Sequence, residues 1–256
     1  MMIFRPGQRL VIPGVQVMQP RPSAGGSGVL LTNLISFWEL EEASGTRNDS
    51  HGTNHLTDNN TVTQTTGKVG NAAQFTAANS EYFSIADNAS LSTGDGLYSI
   101  AAWCYLASKT AGRMIASKMN FSGTQTEYAL YYDNGPDRFR FGVNSSTAAS
   151  FQSAINATAL GSPSTATWYF VVAWIDGTNA NIQINDGTID SVSHPYATGR
   201  DSAEIFNIGN FGGTGGLYWD GLIDQLGFWK RVLTSDERTF LYNSGNGRSY
   251  AQIAAY

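Results

Sequence analysis

From Leu34 to Trp229 the chain is a succession of short apolar or aromatic runs, each closed by Gly, Asn, Asp or Ser. LISFWEL, AAQFT, EYFSIA, YSIAAWCYL, RMIAS, EYALYY, RFRFGV, WYFVVAWI, ANIQIN, EIFNIG and LYWDGLIDQLGFWK have the length, β-branched and aromatic content, and punctuation of β-strands. RFRFGV alternates, with Phe139, Phe141 and Val143 on one face and Arg138 and Arg140 on the other, as a strand with one wet face does. WYFVVAWI is apolar on both faces, which predicts a central strand. The hairpin signals Asp176-Gly177 and Asp186-Gly187 join it in a meander to the next two strands. About eleven strands and little helix predict an all-β fold, a two-sheet antiparallel sandwich.

The pattern changes after Trp229. Thr234 and Glu237 have the spacing of a capping box, and Gly245 suits the left-handed residue after a helix end, so one short C-terminal helix is expected. Cys104 shares a strand face with Ile100, Ala102 and Leu106; alone, it reads as a small buried hydrophobe and excludes a disulfide framework.

Composition narrows the class. With 256 residues the chain can bury a sizeable core, and its 14% charged content is well below the roughly 25% of an average soluble domain. No apolar run approaches the roughly 18 residues of a membrane span. Residues 1–31 hold Arg5, Arg9 and Arg21 and no acid, so this segment carries +3 and the remainder −8 of the net −5. Three charges are too few for nucleic acid, where a protein typically neutralises about 6 to 10 phosphates. The first 28 residues hold four of the seven prolines and break every apolar run with Arg, Gln or Pro, so no secretory leader is expected. An extended arm over 1–31 is expected instead, ordered by whatever it lies against, ahead of a domain over 32–256.

The order of ISFWELEEASGTRNDSHGTNHL, GKVGNAAQF, YSIAAWCYL, WYFVVAWIDG, INDG, NIGN, WDGLIDQLGFWKRVLTSDE and LYNSG resembles the laminin-G-like branch of the concanavalin-A-like jelly rolls, over about residues 33–247. The resemblance implies two packed antiparallel sheets, frequently a calcium ion at the rim, and roles in adhesion, sugar binding or assembly. It does not imply one function.

No residue argues for catalysis. Glu39 and Glu41 share a strand face as glycosidase carboxylates do, but they lack further acidic neighbours and read as a solvated strand end. His51, His55 and His194 fall in loop-like sequence and read as surface residues, with no Ser–His–Asp constellation. Asp49 and Asp224 are the candidates for a structural Ca2+, which takes six to eight oxygens; the alternatives are an Asx-turn at Asp49 and a buried carboxylate accepting backbone amides at Asp224. For sugars, Tyr131, Tyr132, Tyr218 and Trp219 beside loops rich in Asn and Gly are the candidate stacking rings.

A domain type found outside cells, in a chain without an export signal, fits a virion protein of a bacterial virus, made in the host cytoplasm. The expected function is that of a non-enzymatic capsid decoration, cement or tail-associated protein. Phe4, Leu10, Val11 and Ile12 would fill grooves on other virion proteins or on copies of the chain, and Arg5, Arg9 and Arg21 would meet acidic surface. The alternative is a lectin-like module recognising host-surface glycans, and more remotely a glycoside hydrolase.

Overall fold

A computed structural model describes residues 29–94, 96–120, 125–145, 151–196, 199–212 and 216–256. The arm residues Phe4, Arg5, Arg9, Leu10, Val11, Ile12 and Arg21 lie outside the described residues. In chain order the strands are β1 (Leu34–Trp38), β2 (Thr57–Asn59), β3 (Thr63–Thr66), β4 (Asn71–Phe75), β5 (Tyr82–Ile85), β6 (Tyr98–Leu106), β7 (Arg113–Lys118) and β8 (Tyr128–Asp133). They continue with β9 (Arg138–Val143), β10 (Ser153–Asn156), β11 (Trp168–Ile175), β12 (Asn179–Ile184), β13 (Ile189–Ser193), β14 (Phe206–Ile208) and β15 (Gly221–Trp229). Two helices, α1 (Ser235–Tyr242) and α2 (Tyr250–Ala254), close the chain.

The strands form two antiparallel sheets. The first runs β13-β12-β11-β6-β15-β4-β3 with β1 also paired to β15; the second runs β10-β9-β8-β7-β14-β5-β2. Strand parity produces the main core between them. Ile100, Ala102, Cys104 and Leu106 of β6 face inward with Tyr169, Val171, Ala173 and Ile175 of β11, against Phe139, Phe141 and Val143 of β9. Cys104 is a buried free thiol, as its position in the alternation predicts. The opposite parity of β6 and β11 (Ala101, Trp103, Phe170, Val172, Trp174) builds a second cluster on the outer face of the first sheet, covered by Leu233, Leu241 and Ile253 of the C-terminal segment. This second cluster explains why WYFVVAWI is apolar on both faces. No described helix is long and apolar enough to cross a membrane.

The capping box forms as expected: the Glu237 amide donates to Thr234 Oγ1 at 3.3 Å, and the Thr234 amide to Glu237 Oε2 at 2.8 Å. The left-handed residue that ends α1 is Asn243 (φ 51°) rather than Gly245, which takes φ 86° in the following turn. The second helix, α2, was not expected; it carries its own box from Ser249 and Gln252.

Two strands share one edge of β15. β1 pairs with Leu226–Trp229 and β4 with Gly221–Ile223, which leaves Asp224 and Gln225 in the gap. On the other edge the register with β6 slips by one residue between Asp224 and Gly227, and Gln225 takes φ 49°. A bulge of this kind adds one residue to one strand and turns consecutive side chains to the same side. Asp224 and Gln225 therefore both lie on the outward side, beneath the C-terminal segment.

Candidate functional site

Where the C-terminal segment stops covering the first sheet, a row of outward side chains remains open. The registers place Trp168 opposite Tyr105, Tyr105 opposite Leu222, Leu222 opposite Gln74, and Gln74 opposite Thr63. Residues paired across strands point to the same face, so one row crosses five strands. With strands about 4.8 Å apart it spans on the order of 19 Å. Trp168, Tyr105 and Leu222 are half-buried, and Gln74 and Thr63 are exposed. The Trp168 and Tyr105 ring centroids are 5.6 Å apart at an interplanar angle of 59°. Trp168 packs against the cluster under the helices, which anchors the ring while leaving part of its surface open. None of the five residues is charged. The row offers two aromatic rings, an aliphatic side chain, an amide and a hydroxyl, which are the groups that hold the apolar faces and hydroxyls of sugars.

The expected sugar-stacking rings are placed elsewhere. Tyr132 (1% exposed) and Trp219 (0%) lie in the main core, with Tyr132 donating to Asp137 Oδ1 at 2.7 Å and Trp219 Nε1 to the Leu222 carbonyl at 3.1 Å. No sugar ring can reach either, because the core they fill is closed on both sides. Tyr131 is buried on the outer face of the second sheet beside Phe151, their centroids 6.2 Å apart. Tyr218 alone keeps an open surface, next to Tyr82 at 6.0 Å.

The residues proposed for calcium are not brought together either. Asp49 Oδ1 accepts from the amides of Phe37, His51 and Gly52 at 2.9 to 3.0 Å, and Oδ2 from that of Asn54 at 3.1 Å. This is the Asx-turn alternative, and it folds residues 49–54 into a cup at the edge of a cleft of about 430 Å3 that also includes Leu34, Asn88 and Ser90. The polar groups of that cleft bind one another: Asn54 Nδ2 donates to Ser36 and Ser90, and Asn88 Nδ2 to Asn54 Oδ1. Asp224 is fully buried; its Oδ2 accepts from the amides of Lys68 and Val69 at 2.8 and 2.9 Å, and Oδ1 has no partner among the described residues. No group of three or more metal-binding side chains occurs among the described residues. One open carboxylate oxygen does not fit an ion that takes six to eight.

Burial pushes the Asp224 carboxyl up to about 8, against the pull of the two amides that it accepts. Burial also raises Glu41, whose Oε2 accepts from the Asn71 amide at 2.8 Å. Glu39 accepts from the Tyr250 amide at 2.8 Å and from Ser50 Oγ at 3.3 Å. Both glutamates are thus half-buried pins between loops and not the solvated strand end expected. His194 is also not on the surface: it is 3% exposed.

A family model described as the concanavalin A-like lectin/glucanases superfamily matches residues 77–237, well over half of the chain. A search among curated proteins finds no match. Among solved structures, the binding domain of Paraclostridial Mosquitocidal Protein 1 is similar at a TM-score of 0.67 and 16% identity, over 84% of this chain and 53% of that one. Domain 4 of an extracellular GH43 arabinanase from Geobacillus stearothermophilus, in complex with arabinotriose, is similar at 0.55 and 15%, over 84% of this chain and 98% of that domain. The binding domain of Botulinum Neurotoxin DC in complex with SialylT is similar at 0.61 and 13%, over 84% and 52%. The chain thus spans about half the length of the toxin binding domains it matches. At these identities the likeness is one of fold; the family match and the two-sheet sandwich agree, and the chain belongs to the concanavalin A-like lectin/glucanases superfamily.

Proposed function

We propose that this domain binds neutral glycans, without cleaving them, through the row Trp168–Tyr105–Leu222–Gln74–Thr63. The observation that carries the reading is the placement of two partly open aromatic rings in register with an amide and a hydroxyl on an uncharged strip. An open strip favours an extended chain over a single terminal sugar, because several sugar rings can lie along it at once. The arabinotriose and SialylT complexes of the similar structures support the reading at the level of the fold.

The test is binding to a panel of neutral polysaccharides by the domain and by Trp168→Ala and Tyr105→Ala. Each substitution is expected to weaken binding at least tenfold, about 1.4 kcal/mol, with the domain still folded at the temperature of the assay although melting lower, since both rings are partly packed. Affinity is expected to be unchanged by a calcium chelator, and no reducing sugar should be released. Binding that survives both substitutions overturns the assignment.

The proposal extends to the basic, proline-rich segment at 1–28, up to the Val29–Leu31 turn that belongs to the folded domain, as the attachment of this domain to a larger particle, as in a phage decoration, cement or tail-associated protein. Its support is in the sequence: the segment carries +3 ahead of an acidic body and combines Arg5, Arg9 and Arg21 with the apolar Phe4, Leu10, Val11 and Ile12.

A further inference from the structure

His194 has both ring nitrogens bonded: Nδ1 to Ser153 Oγ at 2.9 Å and Nε2 to Ser145 Oγ at 3.0 Å. The polarity of this chain of bonds follows from proton counting. Ser153 has one hydroxyl proton and donates it to the Ser193 carbonyl at 3.0 Å. Ser153 Oγ therefore accepts from His194, which places the ring proton on Nδ1. Nε2 is left with its lone pair toward Ser145, whose hydroxyl donates to it. A serine hydroxyl on a neutral imidazole, whose far nitrogen is held by an acceptor, is the arrangement that activates a nucleophile.

The surroundings supply the remaining parts. Ser145 is half-buried and lines, with His194, a void of about 10 Å3 shared with Val143, Ile175 and Tyr98. A void of this size holds one water or a methyl group and no longer chain. The Tyr98 hydroxyl is buried without a partner among the described residues, and burial, with the Glu127 carboxylate, holds it protonated as a donor. Donors of this kind stabilise the oxyanion that forms when a carbonyl is attacked.

We propose that Ser145 is a nucleophile toward small acyl esters, acetyl before longer chains, with His194 as its base and Tyr98 as a donor to the oxyanion. As Ser145 Oγ bonds to the acyl carbon, its proton passes to His194 Nε2. The ester C–O bond then breaks and the alcohol leaves with that proton. Water repeats the sequence: its oxygen attacks the acyl-serine, its proton passes to Nε2, and acetic acid departs as Ser145 regains its hydroxyl. The activity is separate from glycan binding, which concerns the other sheet face.

The experiment uses the full chain with phenyl acetate, phenyl butyrate and a P-methyl fluorophosphonate, whose methyl group matches the void and which forms a Ser Oγ–P bond with loss of HF. The label is expected on Ser145 by peptide mass spectrometry, and acetate turnover at least about tenfold above butyrate. Ser145→Ala should reduce acetate turnover to the background of buffer. His194→Gln keeps a donor for Ser153 but no base, and should slow labelling about 100-fold. Melting curves are recorded for both variants; should either fail to fold, the position of the label on the unsubstituted protein still decides. A label absent from Ser145, or turnover unchanged in Ser145→Ala, overturns the proposal.

Discussion

A carboxylate that accepts two backbone amides through one oxygen and nothing through the other is only half compensated for its lost water, and Asp224 is in that position. The amide of Gln225, also buried, lies beside it in a residue held at φ 49°, near enough to lower the carboxyl slightly but too poorly placed for a well-formed hydrogen bond. Holding a non-glycine residue in the left-handed region costs about 1–2 kcal/mol, so the gap between β1 and β4 is a strained, polar point in an apolar surround. The folded-state value of about 8 lies above the ordinary 3.8, so the folded protein keeps this proton longer than the unfolded chain. Stability from this group is therefore complete below pH 4 and is lost as pH rises toward 8, with a slope approaching ~1.4 kcal/mol per unit. His194 acts in the opposite sense, since burial lowers its value and stability is lost as pH falls through that range. The comparison of interest is thus between the protein and Asp224→Asn, in which the carbonyl still accepts from Lys68 and Val69 and the new amide group meets Gln225. Urea unfolding at pH 5 and pH 8 should show a loss in the protein that is much smaller in the variant; parallel losses would show that Asp224 is not the titrating group.

At the scale of elements, α1 is held at its start by more than its box. Arg231 donates to both oxygens of Glu237 at 2.7 Å and also reaches the carbonyls of Val29 and Thr32, tying the helix start to the segment before β1. Thr234→Ala removes the acceptor for the Glu237 amide while leaving the Arg231 pair, so a loss of about 1 kcal/mol is expected, or about 2–4 °C in melting temperature. A loss several times larger would mean that the cap also sets how the helix packs on Trp103 and Phe170. The box was legible because its two residues are three apart in one stretch of sequence. The eleven aromatic or β-branched strands were legible for the same local reason. β2, β3 and β10 were not, since TDN, TQTT and SAIN are polar, exposed or short and their pairing comes from neighbours already in place, whereas β13, equally polar in IDSVS, was announced only by the Asp186-Gly187 turn that completes the β11-β12-β13 meander. The glycan row was illegible because it depends on register: Trp168 meets Tyr105, and Tyr105 meets Leu222, from strands far apart in sequence. Choosing rings beside Gly- and Asn-rich loops selected Tyr132 and Trp219 instead, which the sandwich needs inside. His194 was misplaced because a loop residue before proline looks exposed until β9, β10 and β13 converge on it.

At the scale of the whole molecule, the question is what the segment before β1 contributes to the sandwich. Leu30 is fully buried in the cluster beneath the C-terminal helices, and its carbonyl accepts from Trp229 Nε1 at 2.8 Å. Residues 29–33 therefore act as a strap across the end of β15, and within the strap the carbonyls of Val29 and Thr32 receive Arg231. A chain starting at Val29 keeps the strap; one starting at Leu34 loses the Leu30 side chain, leaves the Trp229 indole N–H buried without an acceptor, and frees Arg231 from two carbonyls. Filling the site of a buried leucine is worth about 2–5 kcal/mol, and an orphaned donor costs about 1–3 more. The shorter chain is thus expected to melt many degrees lower, whereas the chain from Val29 should melt with the full-length protein. The same pair of truncations addresses attachment. If residues 1–28 are the tether to a particle, the chain from Val29 remains folded and binds glycan but no longer joins the particle. Normal incorporation by that chain would move the attachment surface onto the jelly roll itself.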